Sequence, residues 1–266
     1  MMKNRFLFVA MLFAALSLGF ASCDMENGNN PDDPQGEQTE QGGSSENNGG
    51  EETPEPADPY NGHAYVDLGL SVKWATCNVG ATKPEEYGNY YAWGEVEPKE
   101  VYYWSTYKFM DSSVNDWTGV NKYTFADGQT ECVWYDNSGN FIGDNKTTLD
   151  LEDDAAAVNM GGSWRMPTAE EQKELFDECT WTWTTLNGVN GYNVECSNGN
   201  SIFLPAAGYR RGSDLGSAGP DGSYWSSSLY TGGSSSACSL DFYSGSVYWS
   251  SRYYRYCGQS VRGVIE

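Results

Sequence analysis

Chemistry in this chain is offered mainly by its last forty-odd residues. From Gly222 to Arg262 the sequence is dominated by Tyr, Ser and Gly, with Trp and Arg interspersed and no Lys or Glu. Tyr and Trp give large amphipathic contact area at low conformational-entropy cost, and Ser and Gly adapt around them, so this is the alphabet of a contact surface. Aromatic and Arg side chains also dominate binding hot spots, and aromatic rings stack on sugar faces as readily as on protein. The residues expected to make contact are Tyr230, Ser239, Asp241, Tyr243, Tyr248 and Trp249, followed by Arg252, Tyr253, Tyr254, Arg255 and Tyr256. About half of the aromatics in this region are expected to be core instead, Trp225, Phe242 and Trp249 first among them.

Other chemistries find little support. His63 is the only histidine and there is no Cys-x-x-Cys pair, so the ligand set of a structural zinc site is missing. Asp153 and Asp154 are adjacent, and neighbours on a helix do not face each other, so they read as helix-capping acids rather than a catalytic pair. With no usable histidine and no spaced carboxylate pair, the chain reads as a binding protein and not an enzyme. Asp136-Asn137-Ser138-Gly139-Asn140 begins like a calcium loop but lacks the EF-hand spacing and terminal Glu, and reads as a turn. No cofactor is expected; a structural calcium ion among these loops is the one exception left open.

The elements that must position the contact residues lie behind an export signal and a spacer. Lys3 and Arg5, the apolar stretch Phe6 to Phe20 and the small residues after it form a secretory signal over 1–22. Phe20-Ala21-Ser22-Cys23 resembles a bacterial lipobox, so Cys23 is the expected lipidation site and outer-membrane lipoprotein, facing the cell surface, the expected location. Each buried methylene of an acyl chain adds about 0.8 kcal/mol of membrane affinity. Residues 23–59 carry acids, no bases and almost nothing apolar, which predicts an extended acidic tether. The net charge of −22 repels nucleic acid and anionic lipid, so membrane contact is expected through the Cys23 anchor alone.

Residues 60–266 are read as the folded domain. Tyr65 to Ala75 predicts two short strands turning at Gly69. A helix is expected over Leu151–Asn159, capped by Asp150 and stopped by Gly161-Gly162, and a second from Thr168 through Cys179, opened by a capping box to Glu171. Strands follow at Gly191–Cys196 and Ser201–Pro205 around an Asn198-Gly199-Asn200 turn. Further on, Cys238, Leu240 and Phe242 share one face and Ser239, Asp241 and Tyr243 the other, before Ser244-Gly245 turns into Val247–Ser250. The binding surface is expected on the second of these faces and on a loop from Ser250 to Tyr256. Two helices beside many short strands make an α+β domain. Cys77, Cys132, Cys179, Cys196, Cys238 and Cys257 are exported, and spacing does not choose among their pairings.

Several motifs taken in order add a resemblance. Val66-Asp67-Leu68-Gly69-Leu70-Ser71-Val72-Lys73-Trp74-Ala75, Trp93-Gly94-Glu95, Asp153-Asp154-Ala155-Ala156 and Trp164-Arg165-Met166-Pro167-Thr168 are followed by Leu204-Pro205-Ala206-Ala207-Gly208, Tyr224-Trp225-Ser226-Ser227 and Ser260-Val261-Arg262. As a set they resemble the Fibrobacter succinogenes major paralogous domain family and its relatives among Bacteroidetes surface lipoproteins. The resemblance implies a C-type-lectin-like fold, related to formylglycine-generating enzymes and to the variable proteins of diversity-generating retroelements. It makes Tyr224 to Arg262 a variable region, open to diversification by a retroelement. The Glu-Pro-Asn, Gln-Pro-Asp and Trp-Asn-Asp signatures of calcium-dependent lectins are absent. The function expected is binding of a glycan or protein ligand at the cell surface; the alternatives are a structural or assembly part of the envelope and, further off, an enzyme of the formylglycine-generating kind, whose paired cysteines are not identifiable here.

Overall fold

Why the two ends of the domain meet is visible in its first sheet. The computed structural model describes Asp58 and residues 60–266; the signal segment, Cys23 and all of the tether but Asp58 lie outside the described residues. Strand β1 (Tyr65–Val66) pairs with β2 (Lys73–Asn78) across the expected turn, where Gly69 takes a φ of +75° and its N–H is held by Asp67. On its other edge β2 pairs antiparallel with the terminal strand, Arg262–Ile265. The last residues therefore lock onto the first, and the contact-rich region is bounded by core on both sides.

Between these ends the described residues form two helices and mostly antiparallel strands in small sheets, an α+β arrangement. Helix α1 (Ala155–Met160) starts four residues later than expected. Asp154, not Asp150, caps it: its buried carboxylate accepts from Ala156 N and Ala157 N at 2.9 Å and from Met166 N at 2.8 Å. The expected first turn, Leu151–Asp153, is a separate 3-10 turn because Asp154 is extended. Helix α2 (Ala169–Glu178) has the expected capping box: Thr168 Oγ1 accepts from Glu171 N, and Glu171 accepts from Thr168 N at 2.7 Å. Arg165 forks onto the same Glu171 at 2.6 and 2.8 Å, fixing the loop that enters the helix.

Cys179 does not extend α2. It opens a strand that the helical spacing hides, β3 (Cys179–Leu186), whose alternating Thr and Trp suit a half-buried pleat. Its partners are β4 (Val189–Cys196) and then β5 (Ser201–Pro205), the last two joined by the expected turn with Gly199 at φ +81°. Trp181 and Trp183 point inward onto Tyr192, with ring centroids 5.6 and 5.1 Å away. Cys179 and Cys196 are paired across β3 and β4 and form a disulfide; Cys77, Cys132, Cys238 and Cys257 are free. Closing a loop of this length stabilises by about 3 kcal/mol. The double substitution Cys179→Ser, Cys196→Ser should therefore lower the melting temperature by roughly 6–12 °C, as read by circular dichroism.

A two-stranded ribbon follows, β6 (Tyr209–Arg211) with β7 (Asp214–Gly216), and then the three-stranded sheet that carries the contact region: β8 (Asp221–Leu229), β9 (Ser236–Tyr243) and β10 (Ser246–Tyr254) in the order β10-β9-β8. β11 is the terminal strand, Arg262–Ile265. Two large apolar cores are built on Trp93, Trp164 and Trp225 and on Trp74, Leu175, Tyr192 and Phe242, with a smaller third cluster on Val120, Cys132 and Trp134. Buried tryptophan N–H groups tie the first together, Trp93 to Ser226 O at 2.8 Å and Trp225 to Tyr91 O at 2.9 Å. The motifs that carry the family resemblance are thus scaffold: Trp74, Trp93, Trp164, Trp225 and Arg262 are all fully buried.

Candidate functional site

The sheet of β8, β9 and β10 has two faces with different fates. Leu240, Phe242 and Tyr224 point into the second core, where Phe242 touches Trp181, Trp183 and Tyr192. The other face is paired in rows: Asp221 with Tyr243 and Ser246, then Ser223 with Asp241 and Tyr248, then Trp225 with Ser239 and Ser251. Its inner end is sealed by Trp225, Ser239 and Gln259, all buried. Its outer end opens into a cleft of about 190 Å³ walled by Tyr209, Tyr243, Tyr248 and Tyr253, with Asp241 between them and Ser223 and Ser251 beside it.

A β-bulge decides which residues reach this cleft. Tyr248 pairs with Asp241 and Ser251 with Ser239, so β10 carries one extra residue there. An extra residue reverses the alternation beyond it. Strict alternation from Tyr248 would add Arg252 and Tyr254 to the cleft; the bulge instead brings Ser251 and Tyr253 and sends Arg252 and Tyr254 to the opposite face.

The rings form two pairs. Tyr209 and Tyr253 lie 5.9 Å apart, and Tyr243 and Tyr248 lie 5.9 Å apart with their hydroxyls hydrogen-bonded at 3.0 Å. Tyr243 and Tyr248 stay 44% and 47% exposed, enough to meet a partner. The Tyr192 hydroxyl donates to Tyr243 O at 3.1 Å and accepts from Gly245 N at 3.1 Å, which holds the β9–β10 turn against the sheet.

Asp241 is the polar centre. Burial pushes its pKa up to about 6, against the pull of hydrogen bonds from Ser251, Ser223 and Ser239 and with a further push from Asp221. Among the described residues neither Asp241 nor Asp221 belongs to an ion pair. Burial also pushes the Tyr253 hydroxyl up to about 12, with Asp241 adding to the effect. Behind Asp241, Ser239 Oγ lies 3.1 Å from its carboxylate and 2.8 Å from Gln259 Oε1, while Gln259 Nε2 is buried without a partner. One hydroxyl proton cannot serve both acceptors. Turning the Gln259 amide over gives Nε2–H to Ser239 and the Ser239 proton to Asp241.

Comparison with protein-family models, with curated proteins and with solved structures finds no match for this chain.

Of the residues expected to make contact, the structure brings Asp241, Tyr243, Tyr248 and Tyr253 together in the cleft. Ser239 lies directly beneath them but is wholly buried, so it supports Asp241 instead of touching a ligand. On the opposite face, Trp249 packs against the second core under Lys173 of α2, 5.4 Å from its ring, and the Arg252 guanidinium sits 4.7 Å over Tyr230. Tyr254 is exposed at the far end of β10, edge-on to Trp104 at 5.7 Å and stacked on Tyr256. These four are separate from the cleft.

Further expectations are overturned. Arg255 is fully buried: Nε donates to the Tyr107 hydroxyl at 2.9 Å, Nη1 to Tyr123 O and Ser234 O at 3.1 Å, and Nη2 to Lys122 O at 2.8 Å. Tyr256 is buried against Trp104, with centroids 4.8 Å apart. The binding loop expected from Ser250 to Tyr256 is, as far as Tyr254, the second half of β10.

Tyr209, Asp221 and Ser223 carry no signal in the sequence that places them in the cleft, whereas Ser251 falls within the expected Ser250–Tyr256 segment. Tyr209 reaches the cleft because Gly208 bridges Gly222 in parallel and donates to Asp221 O at 2.7 Å, a contact without local signature. The calcium-like segment closes on itself, Asp136 accepting from Ser138 N, Asn140 N and Asn140 Nδ2. Asp150, Glu152 and Asp153 cluster within 4.8 Å, but Lys108, Lys122 and Lys146 answer them: Lys108 and Lys122 reach Asp153 at 2.7 and 2.5 Å, and Lys146 reaches Asp150 at 2.6 Å. That arrangement is an ion-pair network.

Proposed function

We propose that the protein is a cell-surface lipoprotein whose folded domain binds a glycan or protein ligand through the tyrosine-walled cleft and the exposed rings around it. The observation that carries this reading is the tyrosine set itself. Four rings from three separate strands converge on a part-buried, unpaired carboxylate, and two of them stay exposed in water. A core would bury such rings and a spacer would not gather them. The order of motifs supports a C-type-lectin-like scaffold of the Fibrobacter paralogous-domain kind, on which a Tyr- and Ser-rich strand pair varies over a buried tryptophan frame. Anchoring through Cys23 and the acidic run over 23–59 would carry such a domain clear of the membrane.

Glycan and protein arrays probed with the purified protein test this. A reproducible ligand should lose about 30-fold in affinity in Tyr248→Ala, equivalent to roughly 2 kcal/mol for one hot-spot ring. Tyr230→Ala, on the opposite face, should leave it within about twofold. Equal loss in both variants, or no ligand on either array, would put a structural role in the envelope ahead. Protease treatment of intact cells reads the location: survival of the domain would contradict surface display.

A further inference from the structure

The cleft has a sign. Asp241 sits at its centre and Asp221 lines its rim, while the walls offer the rings of Tyr209, Tyr243, Tyr248 and Tyr253 and no Lys, Arg or His. A second opening of about 510 Å³, lined by Trp183, Asn190 and Pro220, shares Asp221 and Tyr243 as a common wall and also contains no base. Aromatic faces carry negative potential and attract a desolvated cation, the more so with a carboxylate behind them. At about 190 Å³ the cleft lies below the roughly 300–1,000 Å³ of a pocket for a whole small-molecule ligand, and suits a headgroup with its remainder outside.

We propose that the cleft recognises an organic ammonium group, seated on Asp241 between the Tyr209–Tyr253 and Tyr243–Tyr248 ring pairs, with the rest of the ligand leaving past Tyr243 and Asp221. This rests on the surface-binding reading above and names the chemistry its ligand must present. Charge separates the ammonium from a neutral sugar. Among the described residues Asp241 has no cationic partner, and its carboxylate is buried at a cost that a bound cation would remove. The Ser239, Ser223 and Ser251 hydroxyls hydrogen-bond the carboxylate but, being neutral, leave its charge for the ligand to answer. The chain's charge of −22 draws cations toward the site from solution.

The pH dependence follows from the groups facing Asp241: Asp221 from β8, Tyr243 from β9, Tyr248 and Tyr253 from β10, and Tyr209 from β6. With Asp241 titrating at about 6, a cation binds its ionised form, so affinity should be level above pH 7 and fall about tenfold for each pH unit below 6.

Calorimetric titration of the purified protein with choline, ethanolamine and the neutral isostere 3,3-dimethylbutan-1-ol tests the proposal. At pH 7.5 at least one of the two amines should bind at millimolar concentration and the alcohol at least tenfold more weakly; which amine is preferred tells a quaternary from a primary headgroup. Asp241→Asn should fold, melt at or above the parent temperature at pH 7.5 because a buried charge is gone, and lose amine binding at least tenfold. Tyr248→Leu, which keeps apolar area but removes the ring, should lose several-fold. The proposal is overturned if the alcohol binds as well as the amines, if Asp241→Asn binds unchanged, or if neither amine binds. An array ligand sensitive to Tyr248→Ala, together with absent amine binding, would sink the ammonium assignment and leave the surface-binding reading standing.

Discussion

Replacing Arg255 by alanine should unfold the domain before it weakens any ligand. The side chain lies in the turn just past β10, in a Tyr-rich run two residues from Tyr253 of the cleft, so composition alone assigns it to the contact surface. Its surroundings say otherwise. The guanidinium lies 4.8 Å from the Trp93 ring centre and 5.3 Å from that of Tyr107, with four donated hydrogen bonds and no carboxylate on it. Burial presses on its charged form. The planar fork is what makes the site tolerable, since it reaches three carbonyls and a hydroxyl at once. Truncation would leave Lys122 O, Tyr123 O and Ser234 O inside the protein without donors, at about 1–3 kcal/mol each, and open a cavity beside Trp93. A cost of about 4 kcal/mol or more is a large part of the roughly 5–15 kcal/mol that holds a domain together. The melting temperature should fall by roughly 8–16 °C or the protein should fail to accumulate. Arg255→Lys should recover little, because an ammonium cannot span the same acceptors. Thermal melts alongside binding at a temperature where the variant is folded separate the two roles. Lost affinity with unchanged stability would return Arg255 to the contact surface.

Arg255 also marks the boundary of what the sequence makes legible. Local patterns carry their own signal. The Thr168–Glu171 capping box, the Gly69 and Gly199 turns and the two-faced alternation of residues 238–243 are all where spacing places them, because each depends on neighbours within a few residues. Features set by distant contacts carry none. The Tyr192 hydroxyl fixes the β9–β10 turn from fifty residues away, and Arg255 is claimed by carbonyls more than a hundred residues upstream. The bulge in β10 falls between these cases. The Tyr-Trp-Ser-Ser-Arg-Tyr-Tyr run contains no glycine to announce it, yet one inserted residue decides that Tyr253 enters the cleft and Arg252 does not. Residue types therefore disclose what kind of surface this region makes, while tertiary pairing decides which members of it share a pocket.

The same dependence on distant pairing makes Gly208→Ala the second large effect, expected to abolish the cleft without altering any side chain that lines it. Gly208 has a φ of +66° and stands where the chain passes from β5 into the β6–β7 ribbon. A Cβ there would lie 2.1 Å from Gly216 O, 2.6 Å from Ala218 N and 2.9 Å from Ser217 C. These are backbone atoms of the ribbon's return, so no rotamer change relieves the contact. Positive φ costs an alanine roughly 1–2 kcal/mol, and crowding of this kind adds about 1–3 kcal/mol. The protein can escape by moving the ribbon away from β8. That movement breaks the Gly208–Gly222 bridge and the 2.7 Å bond from Gly208 N to Asp221 O, and it carries Tyr209 away from Tyr253. The variant should melt roughly 4–20 °C below the parent, about 2–5 kcal/mol at this domain size. At temperatures where it remains folded, it should bind the cleft ligand at least as weakly as Tyr209→Ala does. Loss of stability with full affinity would show that the ribbon can shift without Tyr209, and that the cleft is built by β8, β9 and β10 alone.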